Sequence, residues 1–125
     1  MNAYSLPAAT TYAPAPGSDL GPTRLGANAA VVVLPGEQGP ATAVLTGELD
    51  LGCVDALTAT LCTALDESAT GIMLDLTNVG FFDCAALQAL ERARQHAEQH
   101  DRRLTLERSS TAVDLVLGLA ERIRD

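Results

Sequence analysis

Short apolar runs typical of strands alternate with longer segments of helical period from residue 29 onward. The strand-like runs are residues 29–34, 41–47, 71–76 and 103–107, and a stretch rich in Gly and Pro separates the first two. A short linker of this composition between two strand-like runs favours a β-hairpin. The later strands alternate with helical segments, which favours parallel pairing through right-handed crossovers.

Three segments carry apolar residues at helical spacing and are predicted to be helices: residues 50–69, 84–99 and 111–122. Residues 77–82 are predicted to form a loop. The predicted order is therefore β-β-α-β-α-β-α. This order indicates an α/β fold with a mixed, mostly parallel four-stranded sheet, an N-terminal β-hairpin and three helices.

Residues 1–28 differ from the rest of the chain. They are rich in Pro, Ala, Gly and Thr and show neither a strand period nor a helix period. Such a segment cannot bury enough apolar surface to offset the entropy lost on ordering. We therefore predict a disordered tail over residues 1–28 and one domain over residues 29–125.

The charge and the apolar content narrow the classes of function. Sixteen acidic and eight basic residues give a formal net charge of -8, which argues against nucleic acid as a partner because phosphate neutralisation needs a basic face. No apolar run is long enough to span a bilayer, and the first residues lack the basic and apolar blocks of a signal peptide. We expect a cytoplasmic protein without membrane insertion.

The metal-ligating residue types give no strong pattern. Cys53, Cys62 and Cys84 are an odd number of cysteines without a CxxC pair, which argues against a disulfide framework and a structural zinc site. His96 and His100 lie four residues apart, but a solvated helix face is the favoured interpretation. We therefore expect no metal and no cofactor.

Two predicted turns reach the same edge of the sheet. In α/β units the helix N-termini gather at the carboxyl ends of the parallel strands, and binding sites usually form there. We therefore place the candidate functional site on these turns. They are Gly47-Glu48-Leu49-Asp50-Leu51-Gly52-Cys53 and Phe81-Phe82-Asp83-Cys84-Ala85-Ala86.

Three motifs resemble, in the right order, those of the STAS domain family, the anti-sigma factor antagonists and their relatives. They are Gly47-Glu48-Leu49-Asp50, then Leu74-Asp75-Leu76-Thr77-Asn78-Val79, then the second turn continued to Leu87. The resemblance covers about residues 29–123 and implies a STAS-like fold. It implies that the domain binds an anti-sigma factor that is also a serine kinase of the histidine-kinase-like ATPase class. In that family, phosphorylation of the serine after the motif aspartate ends binding.

The resemblance also implies a set of partner-binding residues: Glu48, Asp50, Phe82, Asp83, Cys84, Ala85 and Ala86. Cys84 occupies the phosphoserine position, and Ala85 and Ala86 occupy the following Ser/Thr and Gly positions. Because a serine kinase finds no hydroxyl at Cys84, we expect sequestration of the anti-sigma factor without the usual phosphorylation switch. Ala86 is expected to add a methyl group to the binding surface.

The two phenylalanines of the chain are adjacent, at Phe81 and Phe82. One is expected to pack in the core, and an exposed one would serve as a binding anchor. We assign Phe82 to the binding surface.

Four roles stay open for Cys84. It is a structural thiol in a constitutive binder, or it forms a redox pair with Cys53, which requires Cα atoms within about 7 Å. The protein is alternatively a scaffold subunit of a stress-sensing or lipid-transport complex. A cysteine-dependent enzyme is disfavoured, because a Cys-x5-Arg phosphate cradle needs arginine where Leu90 stands. We therefore expect no enzymatic activity.

Overall fold

The computed structural model describes residues 22–36 and 39–124, with the backbone alone for residues 120–124. The described part contains five strands: β1 (Thr23–Gly26), β2 (Ala29–Leu34), β3 (Ala41–Leu49), β4 (Gly71–Phe82) and β5 (Arg103–Ser109). It contains three α-helices: α1 (Val54–Glu67), α2 (Cys84–Gln99) and α3 (Thr111–Arg124). A 3-10 turn (Leu51–Cys53) precedes α1.

The five described strands form one sheet in the order β1-β2-β3-β4-β5. β1, β2 and β3 pair antiparallel, whereas β3, β4 and β5 pair parallel. The hairpin, the mixed sheet and the three helices confirm the predicted α/β fold. The strand number is five in the described residues and not four as predicted.

The additional strand, β1, contradicts the predicted disorder for the end of the segment 1–28. Thr23 and Arg24 pair with Val31 and Ala30 of β2, and Leu25 is only 2% exposed. Backbone pairing and one buried leucine order a strand of four residues, which is too short to show a period. The prediction for residues 1–21 lies outside the described residues.

β4 continues through residues 77–82, so the prediction of a loop there is wrong. The cause is an irregular register against β3, in which β4 has an extra residue twice, once between Asp75 and Asn78 and once at Gly80. Such bulges break the alternation of inward and outward side chains that identifies a strand in sequence. Across the second irregularity the paired residues are Gly47–Val79 and Glu48–Phe81.

α1 and α2 cover one face of the sheet and enclose the core. α1 contributes the fully buried Leu57, Leu61 and Leu65, each worth several kcal/mol by the usual cost of about 2–5 kcal/mol for truncating a core leucine. α2 contributes Leu90 and four alanines. Because alanine is small, α2 lies close to its neighbours. The buried alanines are Ala86, Ala89, Ala93 and Ala97.

α3 packs against β4 and is anchored at its start by Ser110. The Ser110 hydroxyl donates to the carbonyl of Val79 at 2.6 Å and accepts from the N–H of Val113 at 3.3 Å. Val113 is fully buried, whereas Leu115 and Leu119 are 65% and 57% exposed.

Within the described residues, no helix combines the length and the apolar character needed to cross a bilayer.

Gly71 marks a close approach between the two parallel strands β4 and β5. It begins β4 with a φ of 142°, which side-chain-bearing residues rarely adopt. A Cβ at Gly71 would lie 2.0 Å from the carbonyl oxygen of Arg103. Gly71 and Arg103 are paired in register at the start of β4 and β5, so any side chain at this position separates the two strands.

We expect Gly71→Ala to lower the free energy of unfolding by about 2–4 kcal/mol, because it combines a positive φ with a backbone clash. Gly80→Ala in the same strand is the matched control, since a Cβ there meets no atom within 4 Å. It is expected to change stability by less than about 1 kcal/mol. Urea denaturation measures the free energy of unfolding of both variants. Equal losses would contradict the assignment of a backbone clash to position 71.

Candidate functional site

The two turns meet at the edge where β3 and β4 end. Leu49 and Phe82, the last residues of the two strands, are paired in register. The N–H of Asp83 donates to the carbonyl oxygen of Leu49 at 3.3 Å. The start of α2 is therefore tied directly to the end of β3, and both helix N-termini lie at one edge.

Hydrogen bonds among Asp50, Gly52 and Cys53 close the first turn. The Asp50 carboxylate accepts from the N–H of Gly52 at 2.9 Å. The Cys53 sulfur accepts from the Asp50 N–H and donates to the Asp50 carbonyl, both at 3.2 Å. Cys53 is only 1% exposed, so this thiol is part of the turn's internal structure.

Asp83 caps α2. Its backbone is extended, with φ of -117° and ψ of -177°, and its carboxylate accepts from the N–H of Ala86 at 2.9 Å. A carboxylate there satisfies one of the unpaired N–H groups of the first helical turn and lies at the positive end of the helix dipole. Asp50 and Asp83 therefore both have a structural task, apart from any contact with a partner.

The predicted partner-binding residues divide into exposed and buried ones. Phe82 is 4% exposed and Ala86 is fully buried, so neither is available for contact, and the expectation of a surface methyl at Ala86 is wrong. The two extra residues of β4 leave Val79 and Phe82 inward and Phe81 outward, and the first turn of α2 turns Ala86 toward the core. Half-buried or exposed are Glu48, Asp50, Asp83, Cys84 and Ala85.

Two apolar residues at this edge are exposed and were missing from the predicted set. Leu51 is 76% exposed and Phe81 is 48% exposed. The signal in the sequence that could have identified Leu51 is a leucine between Asp50 and Gly52, inside a turn and not in a regular helix. We define the turn surface by its exposed and half-buried residues: Glu48, Asp50, Leu51, Phe81, Asp83, Cys84 and Ala85.

The three cysteines are free thiols in different surroundings. Burial is the main cause that raises the pKa of Cys53, and the nearby charges of Asp50 and Asp83 raise it further. Burial also raises the pKa of the half-buried Cys62. Cys84 is exposed. A Cys53–Cys84 disulfide would require Cys53 to leave the hydrogen bonds of its own turn, and it stays a prediction.

We expect Asp83→Ala to lower the free energy of unfolding by about 0.5–2 kcal/mol, since it removes the cap of α2. Asp83→Asn is the matched control because its amide oxygen still accepts from Ala86. It should cost less than about 1 kcal/mol, which is the loss of the charge–dipole interaction alone. Equal losses in thermal or urea unfolding would show that the hydrogen bond is not the main contribution.

We expect one fast-reacting thiol per native chain in labelling with a disulfide reagent. Cys84 is exposed, whereas burial protects Cys53 and its raised pKa leaves less of the reactive thiolate. The fast phase should vanish in Cys84→Ser, and Cys53 should react only after unfolding. A loss of two hydrogens in the intact mass under mild oxidant, absent from Cys84→Ser, would instead reveal the disulfide.

Comparisons with known proteins find a solved structure and a family with the same architecture. The crystal structure of an antisigma-factor antagonist, a STAS domain from Rhodobacter sphaeroides, superposes with a TM-score of 0.52 at 16% identity. The superposition covers 72% of this chain and 92% of that chain, and it supports the fold. No curated protein matches the sequence at a significant level. A family profile described as "Mlab, STAS domain" matches residues 32–123, and the chain therefore belongs to the STAS domain family.

Proposed function

We propose that this protein is an anti-sigma factor antagonist-like binding module that docks its partner on the turn surface and regulates transcription in the cytoplasm. The observation that carries the proposal is the exposure of Leu51 and Phe81, at 76% and 48%. They lie at the edge of the sheet where the carboxylates of Asp50 and Asp83 accept hydrogen bonds from main-chain N–H groups of the two turns. Exposed apolar side chains among satisfied polar groups favour protein contact over catalysis.

The charge of the turn surface indicates the kind of partner. Glu48, Asp50 and Asp83 are its ionisable carboxylates, and the whole chain has a formal net charge of -8. A partner surface with basic groups around an apolar centre would be complementary, and the charge would mainly speed association. We propose an anti-sigma factor of the histidine-kinase-like ATPase class as this partner, as the STAS resemblance implies.

Cys84 makes the proposed binding constitutive. It is the first residue of α2 and is exposed, in the position where related antagonists carry the phosphorylated serine. A phosphate adds close to two negative charges and a strongly hydrated group, which the apolar centre of the proposed partner surface could not accommodate. Because Cys84 has no hydroxyl, a serine kinase cannot apply this switch here, and we propose sequestration without release by phosphorylation.

A cleft formed by the described residues lies away from the turn surface. An open cleft of about 390 Å³ is lined by residues of the β1–β2 hairpin and by Thr46. It does not include the turn surface, and its charged side chain, Arg24, is hydrogen-bonded to the Ala27 carbonyl at 3.3 Å. We therefore propose a binding function without catalysis.

A second candidate function is a constitutive scaffold subunit of a stress-sensing or lipid-transport complex. The observation in its favour is the second exposed apolar feature, Leu115 and Leu119 on α3. A subunit that is held permanently needs no phosphorylatable residue, which also fits Cys84. The two functions differ in the surface that the partner uses.

We expect Leu51→Ala and Phe81→Ala each to weaken binding to the cognate kinase-type anti-sigma factor about ten- to thirty-fold, the usual loss for apolar anchors. Leu115→Ala is the matched control, because this leucine is 65% exposed on α3. Titration calorimetry against the purified anti-sigma factors of the host measures all three. A larger loss in Leu115→Ala would show that this partner binds α3 and not the turn surface.

The same titration with Cys84 variants separates binding from regulation. Cys84→Ser should bind as wild type does and become phosphorylated by the bound kinase in ATP, while wild type should not. Cys84→Asp should weaken binding, because it places a hydrated carboxylate against the apolar centre of the partner surface. If no kinase-type anti-sigma factor of the host binds the wild-type chain, the antagonist function is wrong.

A further inference from the structure

A cluster of potential metal ligands lies where the C-terminal parts of α1 and α2 meet. Asp66 of α1 is joined to His96 of α2 by a contact of 2.7 Å between Oδ1 and Nε2. His100 lies one turn further along α2, with its ring centroid 4.3 Å from that of His96. We propose that Asp66, His96 and His100 form a binding site for a divalent transition-metal ion, with Zn²⁺ as the expected occupant.

The donor atoms are close enough to share one ion. One ligand atom from each of the three residues lies within 4.8 Å of the other two. Around tetrahedral zinc, with bonds of about 2.0–2.1 Å, ligand atoms are about 3.3 Å apart. The side chains of His96 and Asp66 are 26% and 53% exposed, so small rotations in solvent can bring the donors to this spacing.

His100 is oriented as a ligand by its second ring nitrogen. Its Nδ1 lies 2.8 Å from the carbonyl oxygen of His96. Because a carbonyl only accepts hydrogen bonds, Nδ1 carries a proton, and in the neutral imidazole Nε2 then offers its electron pair to a metal. A metal-bound histidine commonly donates its other nitrogen to a backbone carbonyl in this way.

The contact between Asp66 and His96 already brings an imidazole and a carboxylate together across two helices. They are separated by 30 positions in sequence, so the pairing comes from the packing of α1 on α2. A zinc ion would replace the proton between Oδ1 and Nε2. Two imidazoles and one carboxylate leave a fourth position for water, as in zinc sites with three protein ligands. Imidazole with carboxylate suits Zn²⁺ better than Ca²⁺ or Mg²⁺.

Arg102 is the neighbouring charge that opposes a cation. Its Nε donates to the carbonyl of Ser68 at 2.9 Å, and another of its guanidinium nitrogens donates to the carbonyl of His100 at 2.7 Å. Both of these bonds go to main-chain oxygens, so they leave the donor atoms of Asp66 and the histidines in place. Arg102 weakens the site by repulsion without occupying it.

The site is distant from the turn surface. α2 has 16 residues and runs from Cys84 at the turn surface to Gln99 beside the cluster, a length of about 24 Å. α1 and α2 both start at the turn edge, because each follows a strand of the parallel pair. A bound ion would join the far ends of the two helices and hold together the layer that carries both turns. This inference does not depend on the proposed partner.

The test is a titration of the full chain with Zn²⁺, followed by imidazole NMR signals and by thermal unfolding. The chain has two histidines, and both belong to the cluster, so the imidazole signals report on this site alone. We expect one ion per chain and a shift of both imidazole signals. At zinc one hundred times above its dissociation constant, Tm should rise by about 5–10 °C.

Variants identify the ligands. His100→Gln and Asp66→Asn should each weaken zinc binding by at least about ten-fold, while Glu67→Gln, an exposed neighbour of Asp66 on α1, should bind as wild type does. Cys84→Ser should also keep the site, which excludes the exposed thiol as the ligand. Zinc binding that leaves the imidazole signals unmoved or is unchanged in Asp66→Asn, or an absence of binding up to millimolar zinc, would overturn the proposal.

Discussion

The parallel pairing of β3 with β4 is the constraint on which the candidate site depends. It ends both strands at the level of Leu49 and Phe82, and it brings the N-termini of α1 and α2 to the same edge. The hydrogen bond from Asp83 to Leu49 then ties one turn to the other. These contacts hold the turn surface in place, since the carboxylates of Asp50 and Asp83 are hydrogen-bonded within their turns and its apolar residues project from a closed turn and a paired strand.

The features that the sequence predicts correctly are those with local causes. Gly and Pro between residues 34 and 41 favour a turn by their own backbone preferences, and the helical spacing of Leu57, Leu61 and Leu65 depends on one helix only. The order of strands and helices then limits the topology, because crossovers have one hand. The meeting of the two turns at the ends of β3 and β4 follows from that order without knowledge of any contact.

The features that the sequence does not predict have causes far apart in the chain. Phe81 and Phe82 are equivalent in sequence, and the side that each takes depends on the two extra residues of β4, which exist only in its pairing with β3. The four residues of β1 are too few to show a pattern. Asp66 comes beside His96 only through the packing of α1 on α2, so a pair of histidines on one helix gives no sign of a third ligand.

β1 has a further consequence for the behaviour of the molecule at high concentration. β2 is the segment AAVVVL, which has neither a charge nor a proline, and β1 occupies the backbone groups along the outer side of its first three residues, 29–31. An uncovered strand of this kind is a template for pairing between molecules. β1 is short and carries Arg24, both of which make it a poor template. A chain shortened to begin at residue 29 would leave β2 as an open edge prone to aggregation, so β1 also protects solubility.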